Sequence, residues 1–153
     1  MSTIEQRKDS VRRFWDEVFN KGNFDALRAM APGYQYNGAV QDNKMFIGWV
    51  QGLRAAMPDL HIVIEDILAE DTKVAVRWHM KGTAAADGMY PKGTKVDWTG
   101  TNILVHDATT GLCISNDQNG RATYTAPGGQ PIIQDAGEIY AAPKFAATTA
   151  VSS

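Results

Sequence analysis

Cysteine occurs once, as Cys113, so no intramolecular disulfide can form, and with only three histidines the chain offers no spacing typical of a zinc site. Lysine and arginine number 15 against 17 acidic residues, a formal charge of −2, and no basic cluster exists of the kind that displaces counterions from a nucleic acid. No run approaches 18 apolar residues and the first residues are polar and charged, so neither a membrane span nor a secretory leader is expected. The expected setting is the cytoplasm. Internal repeats are missing too. What is present is a globular composition, 44% hydrophobic and 21% charged over 153 residues, the size of one domain.

Helical periodicity dominates the first third. Val11, Phe14, Trp15, Val18 and Phe19 form one stripe of a helix over residues 2–20, with Ser2 and Glu5 at capping-box spacing and Gly22 as a left-handed terminator. Asn23 can cap a short second helix carrying Phe24, Leu27 and Met30, which Pro32 and Gly33 would end. A third helix fits Asn43 to Met57, stopped by Pro58. The character then changes: Leu60–Leu68, Lys73–Thr83 and Lys95–His106 are rich in β-branched and aromatic residues and are separated by turn formers. Beyond Gly111 the pattern predicts a short strand near Leu112–Ser115, turns at Asn119-Gly120 and Pro127-Gly128-Gly129, and a last strand within Ile132–Ala141.

Helices first and long strands afterwards predict an α+β domain, residues 1–145, in which N-terminal helices pack on a curved antiparallel sheet and enclose a pocket. Residues 146–153, small and polar, are expected to be a disordered tail.

Several side chains could carry chemistry in such a pocket. In V-A-V-R-W-H-M-K-G-T (74–83), alternation puts Val74, Val76, Trp78 and Met80 on one face and Ala75, Arg77, His79 and Lys81 on the other. The polar face is either solvated sheet surface or a wall of the hollow, where a cation beside an imidazole would favour the neutral base. Gln35, Tyr36 and Asn37 lie on a short segment ahead of the third helix and could hold a substrate oxygen or a water. Trp98 and Asn102 share one face of a strand, offering a flat apolar wall with a polar group, and Tyr90 in G-M-Y-P-K-G could close over the mouth. Asp117 in S-N-D-Q-N-G either ties a turn or projects an acid into the cavity, with Asp135 and Glu138 as further acids. His106, at a strand end, is expected at the surface.

Taken together, F-W-D-E-V-F-N-K-G-N-F-D-A-L (14–27), G-L-R-A-A-M-P-D-L-H-I-V-I-E-D-I-L-A-E (52–70), V-A-V-R-W-H-M-K-G-T (74–83) and P-K-G-T-K-V-D-W-T-G-T-N-I-L (91–104) resemble the SnoaL-like polyketide cyclases of the NTF2-like superfamily. The resemblance implies a cone-shaped barrel, commonly a homodimer, acting on small natural-product intermediates without cofactor or metal. In such cyclases a late-strand carboxylate works as general acid/base in an aldol-type closure, a role nearest to Asp117. The related limonene-epoxide-hydrolase type carries an Arg-x-Asp pair matching Arg77 and His79 and a Tyr-x-Asn pair matching Gln35 and Asn37; half of each pair stands here. The implied activity is cyclisation or isomerisation of a polyketide-like intermediate, with His79 and Asp117 exchanging protons and Arg77 holding an oxygen. The alternatives are an epoxide-opening cyclase or epoxide hydrolase, and a non-catalytic small-molecule-binding or scaffold protein.

Overall fold

The first helix starts from Thr3 and not from Ser2. In the computed structural model, which describes residues 3–135, Thr3 Oγ1 accepts from the Gln6 N–H at 3.1 Å and Gln6 Oε1 accepts from the Thr3 N–H at 2.9 Å. The capping box thus lies one residue beyond the expected Ser2–Glu5 pair, of which Ser2 falls outside the described residues. Helix α1 (Ile4–Trp15) buries Val11 and Trp15 and runs into a π-helical turn, Asp16–Asn20, that buries Val18 and Phe19. Gly22, at φ +67°, ends it. The helix end is held from two sides. Arg54 Nη1 donates to the carbonyls of Phe19 and Asn20, each at 2.8 Å, and the Asn20 amide exchanges two hydrogen bonds with the main chain of Ile62. The Asn23-capped segment is a 3₁₀ helix, Phe24–Ala29. Helix α2 (Asn43–Ala56) is capped by Asp42 and stops at Met57.

The described residues form seven strands, two of them ahead of α2: β1 (Met30–Tyr36), β2 (Ala39–Val40), β3 (His61–Glu70), β4 (Lys73–Thr83), β5 (Lys95–His106), β6 (Cys113–Thr125) and β7 (Ile132–Asp135). Their order is β2-β1-β6-β5-β4-β3, with β7 also on β6. Three expectations change. Met30, Pro32 and Gly33 belong to β1 and not to a helix end; the register of β1 against β6 shifts between Met30 and Gln35, where proline has no N–H to give the ladder. The β1–β6 pair is parallel, so the sheet is mixed, and it is curved without closing into a barrel. Asn119-Gly120 makes no turn. Strand β6 runs straight through it, paired with β5 from Ser115↔Val105 to Thr125↔Lys95, because cross-strand pairing along its length outweighs a two-residue turn preference. The turn at Pro127-Gly128-Gly129 does form, and β7 occupies the described part of the expected last strand; Ala136–Ala141 and the 146–153 tail lie outside the described residues.

Alternation then sorts the sheet. Val74, Val76, Trp78 and Met80 on β4, Val96, Trp98, Gly100, Asn102, Leu104 and His106 on β5, and Asn116, Ala122 and Tyr124 on β6 are buried on the inner face under the helices. Their odd-numbered neighbours form the outer face. No helix among the described residues is long and apolar enough to cross a membrane.

Candidate active site

The inner face is apolar except for a line of amides. Asn102, 1% exposed, stands in the row of core positions on β5. Its Oδ1 accepts the indole N–H of Trp78 at 2.6 Å, and its Nδ2 donates to Asn116 Oδ1 at 2.8 Å and Gln118 Oε1 at 3.3 Å. An indole N–H only donates, so the Asn102 oxygen must face Trp78 and its NH₂ must face the other two amides. Asn116 and Gln118 therefore offer oxygens inward and keep their NH₂ groups for something else. Gln118 Nε2 is buried and has no hydrogen-bond partner among the described residues, an unmet demand that costs about 1–3 kcal/mol until a ligand or water answers it.

Both amides border a cavity of about 40 Å³ between the sheet and the helices. Its walls are aromatic: Phe14, Trp15, Phe19 and the α2 residues Phe46 and Trp49 face Trp78 and Trp98, with Tyr34, Tyr36, Met30 and Met80 completing the enclosure. Trp98 stands edge-on to Trp49 at 5.8 Å and to Trp78 at 6.1 Å between ring centres. Gly100 makes this possible. It lies between Trp78 and Gly120 in register, and a Cβ there would collide with Trp78 Cζ2. The absent side chain gives the Trp78 ring room against β5. Asn37, in the left-handed region at φ +49°, positions Gln118 from outside: its Oδ1 accepts the Gln118 main-chain N–H at 2.7 Å, on the stretch of the β6 edge between β1 and β7.

A smaller cavity of about 30 Å³ adjoins the first and shares Phe14, Trp15, Met30, Tyr34 and Asn116 with it. Its further wall holds His106, Cys113 and Ser10. His106 is 4% exposed, not at the surface as its place at a strand end suggested, because β6 and α1 cover the last inward position of β5. Burial holds its pKa below the ordinary imidazole value; the Thr72 carbonyl works against that and the Arg7 charge adds to it. Burial pushes the Cys113 thiol up to about 12, against a weaker opposing bond to the Ser115 carbonyl.

The residues first considered for catalysis lie elsewhere. Arg77 and His79 are on the outer face, where Arg77 Nε meets Asp66 at 2.7 Å and the two His79 ring nitrogens meet Asp97 at 2.6 Å and Glu65 at 3.4 Å. Among the described residues helices cover one face of this sheet, so hollow and core share that apolar side and the polar side stands away from them. Asp117 points outward opposite Ile103, and Asp135 lies near Arg121 on the same exposed face. Glu138 lies outside the described residues. Gln35 is exposed, and Asn37 is spent on the main chain. Tyr90 is no lid: it is 3% exposed and stacks on Tyr124 with centroids 5.5 Å apart. Tyr36, Trp98 and Asn102 do belong to the inner site, the first two in its wall and Asn102 one layer behind. Gln118, Asn116 and His106 were missed. Asn102 at a core position was the available signal for a buried polar line.

Residues 9–107 match the profile of the SnoaL-like polyketide cyclase family. The chain belongs to that family. Solved structures agree on the fold. AclR, a candidate hydroxylase from Streptomyces galilaeus, is 19% identical with a TM-score of 0.65 over 77% of this chain and 80% of its own. IdmH, a candidate polyketide cyclase from Streptomyces antibioticus, is 23% identical with a TM-score of 0.62 over 75% and 91%. A SnoaL-like polyketide cyclase from Agrobacterium tumefaciens is 18% identical with a TM-score of 0.61 over 78% and 92%. No curated protein matches the sequence. Within the SnoaL-like match lie Trp78, Trp98, Asn102 and His106; Asn116 and Gln118 fall after its end at Asp107, so this chain's amide line is completed by its own late strand.

Proposed function

We propose that this SnoaL-like protein is a cyclase-type enzyme that closes a ring in, or isomerises, a small, largely apolar polyketide-like ketone. The observation that carries the reading is the direction of the amide line. Trp78 fixes Asn102, Asn102 fixes Gln118, and the Gln118 NH₂ is left as a buried donor in an aromatic cavity. Such a donor matches a carbonyl oxygen, and better still the enolate oxygen that develops when a neighbouring carbon loses a proton. Aromatic walls suit the flat remainder of a conjugated substrate and exclude water from the enolate. The reading calls on no metal or nucleotide. Among the described residues the main cavity carries no carboxylate, and the Arg77, His79 and Asn37 set behind an epoxide reading does not face it.

In the same reading the chain is a cytoplasmic homodimer. Light scattering would read its mass.

Binding of 2-indanone and of indane, which differ only by a carbonyl, tests the site through quenching of Trp49, Trp78 and Trp98. The space as it stands admits roughly three waters, so the ring must push back flexible walls such as Met30 and Met80. The ketone should bind about fivefold more tightly, the value of one hydrogen bond near 1 kcal/mol, and Gln118→Leu should abolish the preference. Equal affinity for the two would overturn the reading, and an authentic ligand returned unchanged on prolonged incubation would indicate a binding protein.

A further inference from the structure

The amide line supplies donors but no base, and the adjoining chamber supplies a group that fits. We propose that His106 is the proton-transfer residue of this enzyme, acting through Nδ1 on a carbon next to the carbonyl that Gln118 and Asn116 hold; this rests on the ketone reading of the cavity. Three observations place it there. His106 lies on the inner face, in the wall of the chamber that shares Asn116, Tyr34, Met30 and Phe14 with the main cavity, so a ligand entering from the amide end can reach it. Its Nδ1 is buried and has no hydrogen-bond partner among the described residues, and the residue as a whole is 4% exposed. The Thr72 carbonyl already accepts the His106 main-chain N–H at 2.8 Å. With Nδ1 unpartnered, the neutral ring that keeps its proton on Nε2 presents the Nδ1 lone pair to the chamber.

The other two histidines cannot substitute, since His61 is exposed and His79 is bonded to acids on the outer face. Among the described residues the charged and titratable groups around His106 are Arg7 from α1, Tyr34 from β1 and Cys113 from β6. None is a carboxylate that would hold a proton on the ring, and burial keeps the imidazole neutral and ready to accept one. In the step, the C–H bond at the carbon next to the carbonyl breaks and its proton goes to Nδ1. The C–H electron pair becomes the enolate double bond, the carbonyl π pair moves to oxygen, and the amide NH₂ groups meet that charge. The enolate carbon then attacks a second carbonyl of the same substrate, or is reprotonated at another position, and Nδ1 returns its proton to the new alkoxide or carbon. No oxidant, reductant or co-reactant enters.

2-Indanone in D₂O provides the test, because exchange of its ring CH₂ protons reports proton abstraction directly. The wild-type protein should accelerate exchange above the buffer rate, and His106→Gln, which keeps a polar side chain of similar length but has no base, should lower the enzymatic rate about 10²-fold or more while binding 2-indanone as before. His79→Gln should exchange at the wild-type rate. As a check independent of the variant's folding, nitrogen-15 spectra of histidine-labelled wild type should show Nδ1 of His106 unprotonated and shifting on addition of 2-indanone. Full exchange by folded His106→Gln, a protonated Nδ1, or a wild type that binds the ketone without exchanging it would each overturn the inference. Failure to bind 2-indanone in preference to indane would instead remove the cavity reading beneath it.

Discussion

The indole nitrogen of Trp78 donates to Oδ1 of Asn102 across 2.6 Å, with both side chains buried, and that one bond orients every amide behind it. Replacing Asn102 by leucine keeps the volume and removes the junction. It leaves the Trp78 N–H, Asn116 Oδ1 and Gln118 Oε1 without their partner. Each orphaned group costs about 1–3 kcal/mol, softened where cavity water can reach it. Asn102→Leu should therefore lose roughly 2–4 kcal/mol in urea unfolding and bind ketone and hydrocarbon alike. A loss below about 1 kcal/mol would mean the amides find other partners.

Gly100→Ala tests the bed on which Trp78 lies. The added methyl would collide with Trp78 Cζ2 and meet Trp78 Cε2 at 2.8 Å and the Asn119 carbonyl at 3.0 Å, with rigid groups on both sides. Either the indole tilts away from Asn102 or the strands separate, and overpacking of this kind costs about 1–3 kcal/mol. The expected readout is a lowered Tm together with a shift in tryptophan emission. An unchanged spectrum would show that the ring position does not depend on that glycine.

The sequence made the fold legible because its strongest signals are long and periodic: the Val11–Phe19 stripe and the alternation of β4 and β5 survive in place. The site was half legible. Alternation correctly separated Trp78 and Met80 from Arg77 and His79, yet it carries no sign to say which face holds a cavity. The polar face attracted the chemistry, although a cavity under helices opens on the apolar one. The C-terminal third failed for another reason. N-D-Q-N-G reads as a turn locally, and only the pairing of Gly120 with Gly100 keeps it extended, a long-range constraint absent from any window of the chain. With that strand broken, Asn116 and Gln118 could not be placed on the inner face.

The outer-face charges make a complementary prediction. Arg77→Ala, His79→Ala and Asp117→Asn should leave 2-indanone affinity unchanged and alter stability by less than about 1 kcal/mol each, the usual range for exposed charged groups and their ion pairs. Arg77 is 59% exposed in its side chain, so its direct ion pair with Asp66 is screened by the surrounding solvent. A tenfold loss of ketone binding in any of the three would return that face to the site.

Acid should weaken the fold through His106. Its folded pKa lies below the ordinary imidazole value near 6.5, so the unfolded chain binds the proton first. Stability is then complete above about pH 6.5 and declines as the pH falls from there toward the lower folded value. Between those limits the Tm of the wild type should drop more steeply than that of His106→Gln, the difference isolating this group from Arg7, Cys113 and the other histidines. Parallel curves would show that the buried ring gains its proton as easily as a free one.

Cys113 reports on the same chamber from the other wall. With its thiol pushed up to about 12 by burial, its thiolate fraction at pH 8 is roughly 10³ smaller than that of an ordinary cysteine near 8.5, and its sulfur is enclosed beside His106. A disulfide reagent should modify the folded protein at least that much more slowly than the urea-unfolded chain, at a rate set by opening of the α1 side of the chamber. If a ligand reaches His106, it must also fill the space in front of Cys113, so saturating 2-indanone should slow labelling further in the wild type. In Gln118→Leu, where the ketone loses its anchor, the same concentration should protect less. Labelling as fast as in the unfolded chain would mean the chamber is open to solvent, and an imidazole in such a chamber would have no reason to stay neutral.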